Sequence, residues 1–170
     1  MSTAMPIVVV TFYSRGGATE RLATAAAVGA VQARAAIRMR RLADPDPAAA
    51  IARFPAHAEA LRRMQKEYVP PREVDLAAAD VLVVASPADV GPASPEWAPY
   101  VEMLRRLQSG GKLQRKVGAV VETGASASLA RLLQEVGLAP VIQPESAGDD
   151  VARAIALGRA AVAAAQRLTQ

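Results

Sequence analysis

The stretch SRGGATE, Ser14–Glu20, follows a run of β-branched residues, Ile7–Val10, and leads into an alanine-rich segment. Ser14 and Thr19 carry hydroxyls that can donate hydrogen bonds. Gly16 and Gly17 let the backbone fold so that several N–H groups point inward, which a Cβ would prevent. A helix that begins near Thr19 adds free first-turn amides and the positive end of its dipole. These features together suit a phosphate. They equally suit a plain strand-to-helix turn with Thr19 as the helix N-cap, and the pattern alone leaves both readings open.

Two further loops have compositions that expose backbone amides or supply hydroxyls: SPADVGPASPEW, Ser86–Trp97, and TGASAS, Thr123–Ser128. Several nucleotide and catalytic motifs are excluded. No GxGxxG follows the first strand, and no GxSxG elbow exists. Gly110-Gly111-Lys112 is followed by Leu113, and Arg106 stands where a P-loop needs its first glycine. Phe12 and Tyr13 occupy the place of the acidic pair of a response-regulator receiver.

The elements that must position these loops follow from periodicity. Ile7–Thr11, Val81–Ser86 and Val117–Glu122 read as buried strands, Ile37–Leu42 as a short outer strand, and Pro140–Gln143 as a short last one. Helices are expected over 19–34, 56–68, 75–79, 95–107, from the loop after Thr123 to about Val136, and over 149–168. Gly137 is the expected C-cap after Val136. Strands alternate with helices five times, so the fold class is α/β, a parallel sheet with helices on both faces. No repeat or linker divides the 170 residues, and one domain spanning 1–170 is expected. In such a sheet, ligands bind beyond the carboxyl ends of the strands where the strand order reverses.

Composition narrows the function classes. The chain is 52% hydrophobic with only 4% aromatic residues, so the core must be Ala, Val and Leu. There is no cysteine, which excludes disulfides, thiolate metal sites and cysteine nucleophiles; no metal is expected. The amino-terminal stretch lacks a basic segment followed by a signal-length apolar run, and no apolar run is long enough to span a bilayer, so a cytoplasmic protein is expected. The 20 basic and 16 acidic residues give +4. Alternation makes part of the densest basic cluster, Arg38, Arg40 and Arg41, the exposed face of a strand; the basic residues read as solvated surface, and no nucleic-acid or membrane partner is expected. Trp97 continues the helical face of Val101 and Leu104 and reads as core. His57, the single histidine, reads as a surface residue.

The chain resembles the flavodoxin-like superfamily, in particular the WrbA-type NAD(P)H:quinone oxidoreductases. YSRGGATE resembles the flavodoxin phosphate loop, SPADVG with PASPEW the third-strand loop of the WrbA type, and ETGAS its fourth-strand Thr-Gly loop. GGKLQRKVGAVV and the closing GDDVARAIALGRAAVAAAQRL also match in order. The resemblance implies a flavodoxin-like three-layer sandwich with five parallel strands in the order 2-1-3-4-5. It implies that Ser14, Arg15, Gly16, Gly17, Ala18 and Thr19 hold the phosphate of FMN. Pro87, Ala88, Asp89, Val90 and Gly91 would lie along the flavin ring, with Thr123 and Gly124 closing its other side. The implied activity is two-electron transfer from NAD(P)H to a quinone or similar acceptor; the implied assembly is a homo-oligomer, dimer or tetramer. Leu61, Met64 and Tyr68 within Ala48–Tyr68 are the expected subunit contact.

The departures are specific. Gly16 and Ala18 replace side chains usual in the phosphate loop, and Asp89 stands where the WrbA pattern has a basic residue; it is expected to point outward, because burying an unpaired carboxylate is costly. The segment Gln108–Lys116 is short and lacks the quinone-pocket tryptophan, and the loop after Gly124 is short and has no histidine. The alternative reading is a flavodoxin-like domain that has lost its flavin and serves as a binding or structural subunit. A one-electron carrier is disfavoured by the positive charge, since carriers that dock on basic partners are acidic.

Overall fold

A computed structural model describes residues 4–145 and 148–170; residues 1–3, part of the stretch read above for a leader, lie outside the described residues. The strands are β1 (Ile7–Phe12), β2 (Ala36–Arg41), β3 (Val81–Ala85), β4 (Val117–Val120) and β5 (Ala139–Pro140). The helices are α1 (Ala18–Gln32), α2 (Pro47–Arg53), α3 (Ala58–Glu67), α4 (Glu73–Ala78), α5 (Ala98–Ser109), α6 (Ser126–Glu135) and α7 (Asp150–Leu168), with a 3₁₀ turn at Pro55–His57. All paired strands are parallel, in the order β2-β1-β3-β4-β5. This is the expected fold class.

The sheet is apolar on both faces because both are covered. Val8, Val10 and Phe12 of β1 join a core with α1 and α7, together with Met64 of α3. Val9 and Tyr13 face the other way, into a core built by Leu76 of α4, Tyr100 and Leu104 of α5, and Leu129 and Leu133 of α6. With so few aromatics, the first core is alanine-rich and its helices come very close. A Cβ on Gly29 of α1 would lie 2.0 Å from the Ile155 carbonyl oxygen, and one on Gly158 of α7 would lie 2.0 Å from that of Ala26. The two backbones touch at these glycines.

Several expectations are corrected. The segment expected as one helix over 56–68 is a 3₁₀ turn and α3, with α2 preceding them; Asp46 caps α2 by accepting from the Ala49 amide at 3.0 Å. Pro95–Trp97 lies before α5 rather than in it, and β5 is only Ala139–Pro140. Leu61 and Met64 are fully buried in the chain's own interior, so they cannot form a subunit contact. Tyr68 packs edge-on against Phe12, with ring centroids 5.0 Å apart, and donates to Glu20 at 2.7 Å.

The basic cluster on β2 is only partly solvated: the Arg38 side chain is 40% exposed, that of Arg40 16%. Asp75 of α4, wholly buried, accepts from Arg40 Nε at 3.0 Å and from the Arg72 amide at 3.0 Å, and pairs with Arg38 at 3.4 Å. Arg41 is 3% exposed. Helix α4 and the loop after β2 bring carboxylates to these guanidiniums, which alternation along one strand does not reveal. Burial opposes ionisation of Asp75, but bonds from Arg40 and Arg72 outweigh it and hold its carboxyl far below the usual range.

The glycine contact gives a direct test. Gly158→Ala should lower the urea-unfolding free energy by about 3 kcal/mol, because the new methyl meets backbone rather than a yielding side chain. Gly110→Ala, where the nearest atoms would be 3.6 Å away, should change it by less than about 0.5 kcal/mol.

Candidate functional site

Strand β1 delivers Ser14–Gly17 to the carboxyl edge of the sheet. Gly17 takes φ +98°, which places it in the left-handed region and makes it the N-cap of α1. Its amide donates to Ser14 Oγ at 3.1 Å. No side chain caps α1, so Thr19 is inside the first turn rather than at the cap. Among the described residues, no oxygen accepts the amide hydrogens of Gly16, Ala18 or Thr19. Helix ends left open in this way are satisfied by water or by a ligand. The open amides sit at the positive end of a 15-residue helix, an arrangement suited to an anion, and Thr19 is not the N-cap that the plain-turn reading named.

Arg41 fixes the loop from behind. Its Nη2 and Nε donate to the Ser14 carbonyl at 2.8 and 3.3 Å, and its Nη1 donates to Asp44 at 3.0 Å. Asp44 also accepts from the Tyr13 hydroxyl at 2.5 Å and from Gln65 at 2.9 Å. These bonds to the Ser14 carbonyl fix the start of the loop. Burial pushes the Tyr13 phenol up, helped by Asp44, to about 12. Burial alone would raise Asp44, but bonds from Tyr13 and Gln65 and the Arg41 charge hold it below the usual carboxylate range. Sequence reasoning missed both Arg41 and Asp44. The available signal was Asp44 directly after a strand that ends in an arginine.

A cavity of about 410 Å³ opens in front of the loop, lined by Ser14, Arg15, Gly16, Ala18, Thr19, Phe54, His57, Pro87 and Asp89. The Arg15 guanidinium lies 4.1 Å above the Phe54 ring and donates to Asp89 at 2.6 Å. Asp89 points outward, 66% exposed, and the Arg15 bond holds its carboxyl below the usual range. The ion pair therefore links the phosphate loop to the third-strand loop. Phe54 and His57 reach the cavity from the segment after α2 and were not anticipated.

The third-strand loop is pinned from beneath. The buried Ser86 hydroxyl donates to the Val90 carbonyl at 2.6 Å and accepts from Trp97 Nε1 at 2.9 Å. Trp97 is core, edge-on to Tyr100 at 5.3 Å. Val90 points into that core. Thr123 donates to the Ser86 carbonyl, and a Cβ on Gly124 would come within 2.3 Å of Ala88 Cβ. Gly91 lies near Ser128, outside the cavity lining. Seven of the residues expected to contact a cofactor thus share one cavity: Ser14, Arg15, Gly16, Ala18, Thr19, Pro87 and Asp89. Gly17 supports it from within the loop, while Ala88, Val90, Gly91, Thr123 and Gly124 stand outside its lining.

No family model matches the chain. An NAD(P)H dehydrogenase (quinone) of Archaeoglobus fulgidus is 29% identical over 116 residues, which span 68% of this chain and 60% of that protein. The WrbA-like flavodoxin of Agrobacterium tumefaciens superposes with a TM-score of 0.62 at 18% identity, over 95% of this chain and 98% of that one. A flavodoxin from the domain Archaea gives 0.61 at 15% identity, over 96% and 99%. The fold is flavodoxin-like.

The residues present fit the phosphate end of FMN, through open amides, two hydroxyls and a guanidinium around one cavity. The Tyr13–Asp44–Arg41 anchor predicts a pH profile. Unfolded tyrosine ionises near pH 10, so the Tyr13 contribution is present below that pH and lost as pH rises through about 12. Asp44 has the opposite sign: its contribution is present above about pH 3.9, the unfolded value, and is lost as pH falls through its lower folded pKa. Tyr13→Phe should remove part of the alkaline decline in urea midpoint, and Asp44→Asn part of the acid decline. Asp44→Ala should cost about 3 kcal/mol at neutral pH by leaving Arg41 buried and unpaired.

Proposed function

We propose that the chain binds FMN with its phosphate at Ser14–Thr19 and serves as an NAD(P)H-dependent oxidoreductase for a quinone or similar two-electron acceptor. The observation that carries the reading is the set of open amides at the uncapped start of α1, facing a cavity with Arg15 in its wall. The flavodoxin-like fold and the similarity to an NAD(P)H dehydrogenase (quinone) support it. When bound, FMN supplies reversible two-electron redox chemistry.

The protein's part is binding and positioning. The Gly16, Ala18 and Thr19 amides would hold phosphate oxygens, Arg15 adds a charge-assisted contact, and Pro87 with Asp89 flanks the rest of the ligand. Arg15 is already immobilised on Phe54 and Asp89, so little ordering cost falls on binding.

A second reading, a flavodoxin-like binding domain without flavin, is favoured by one feature. Gly124 lies against Ala88 and the Thr123 hydroxyl is tied to the Ser86 carbonyl, so the third- and fourth-strand loops meet with no slot between them. The cradle would then hold a phosphate-bearing ligand that has no ring system to accommodate.

Steady-state assays separate the two. FMN-supplemented protein should oxidise NADH or NADPH with a quinone acceptor, and Arg15→Ala should raise the FMN concentration for half-maximal rate about tenfold. Absence of nicotinamide oxidation by flavin-loaded protein would remove the oxidoreductase reading.

A further inference from the structure

Within the loop, Gly16 and Ala18 carry no side-chain donor, while Ser14, whose Oγ accepts from the Gly17 amide, keeps one O–H to donate beside Arg15 and Thr19. A further donor comes from outside the loop. His57, at the end of the 3₁₀ turn Pro55–His57, stands against the loop: a Cβ on Gly16 would lie 2.8 Å from its Nδ1 and Cε1. The imidazole thus occupies the space that any side chain at position 16 would need, and it lines the same cavity as Ser14, Arg15 and Thr19. Glycine at position 16 and histidine at 57 are sterically matched.

We propose that His57 is a phosphate-binding residue that closes the cradle from outside the loop, and that it restricts the site to ligands ending in a phosphate monoester. An imidazole N–H supplies a donor to a phosphate oxygen. Its ring lies against Gly16 and lines the cavity together with Arg15 and Asp89. A ligand whose chain continues beyond the phosphate, as in a diphosphate ester, has to displace the ring. The charged neighbours are compatible. Asp89 is tied to Arg15, and Glu20, which lies close to Gly17, accepts from Arg63 at 2.5 Å and from Tyr68. The inference rests on the phosphate cradle of the proposed function but not on the redox chemistry.

The test uses the full chain, with His57→Ala and His57→Gln, and four probes: FMN, riboflavin, FAD and inorganic phosphate. His57 is exposed, so neither substitution opens the core. Dissociation constants come from ultrafiltration, and the phosphate effect is read as a shift in Tm. His57→Ala should weaken FMN about tenfold, the value of one charge-assisted bond, leave riboflavin unchanged and shrink the preference for FMN over FAD. His57→Gln should recover part of the FMN affinity. Inorganic phosphate should raise the Tm of the unsubstituted protein more than that of His57→Ala. An unchanged FMN-to-riboflavin ratio in His57→Ala overturns the contact, and an unchanged FMN-to-FAD ratio overturns the restriction to monoesters. If phosphate stabilises only the unsubstituted protein while no flavin binds, the His57 contact stands and the FMN reading fails. No phosphate effect and no FMN preference in either protein overturns the proposal.

Discussion

The buried Arg41 guanidinium reaches forward to the Ser14 carbonyl and sideways to Asp44, and the geometry of the site depends on that placement. Two bonds to that carbonyl fix the start of the loop. The Gly17 backbone at positive φ then starts α1 without a side-chain cap. The guanidinium is tolerable there because Asp44 neutralises it and Tyr13 and Gln65 satisfy the remaining carboxylate lone pairs. Removing a member of this set exposes another to burial without a partner, which couples the stability of the fold to the shape of the loop.

The cavity draws on three parts of the chain. The loop contributes backbone donors, the third-strand loop contributes Pro87 and Asp89, and the segment after α2 contributes Phe54 and His57. The guanidinium of Arg15 bridges them, resting on Phe54 and bonded to Asp89. The loop supplies Ser14, Arg15 and Thr19, and elements remote in sequence add Phe54, His57, Pro87 and Asp89. The close backbone contact of α1 with α7 serves the same end, since it fixes the helix whose first turn forms the cradle.

Much of the fold was legible because the strands are continuous β-branched runs and the helices between them are alanine-rich; the strand order came from resemblance rather than periodicity. Element ends were less so. Pro95–Trp97 has helical composition but lies ahead of α5, and the prolines at 45, 47 and 55 mark two short helical pieces that a single amphipathic pattern over 56–68 merges. At the site, the loop Ser14–Thr19 was readable from glycines and hydroxyls in a row. Arg41, Asp44, Phe54 and His57 were not, because their roles come from tertiary juxtaposition. Arg41 shares the alternation of Ile37 and Met39 along β2, and its buried charge is tolerated only through Asp44. Leu61 and Met64 were read as an outer apolar face, and α3 turns that face into the core of its own chain.

The most direct measurement is the absorption spectrum of the purified protein after FMN is added and unbound flavin is removed by desalting. Flavin bands corresponding to about one FMN per chain are expected if the open amides of Gly16, Ala18 and Thr19 with Arg15 form a working phosphate site. A colourless protein whose Tm does not change with FMN would contradict this, and would mean that Ser14–Thr19 is a turn whose amides are satisfied by water.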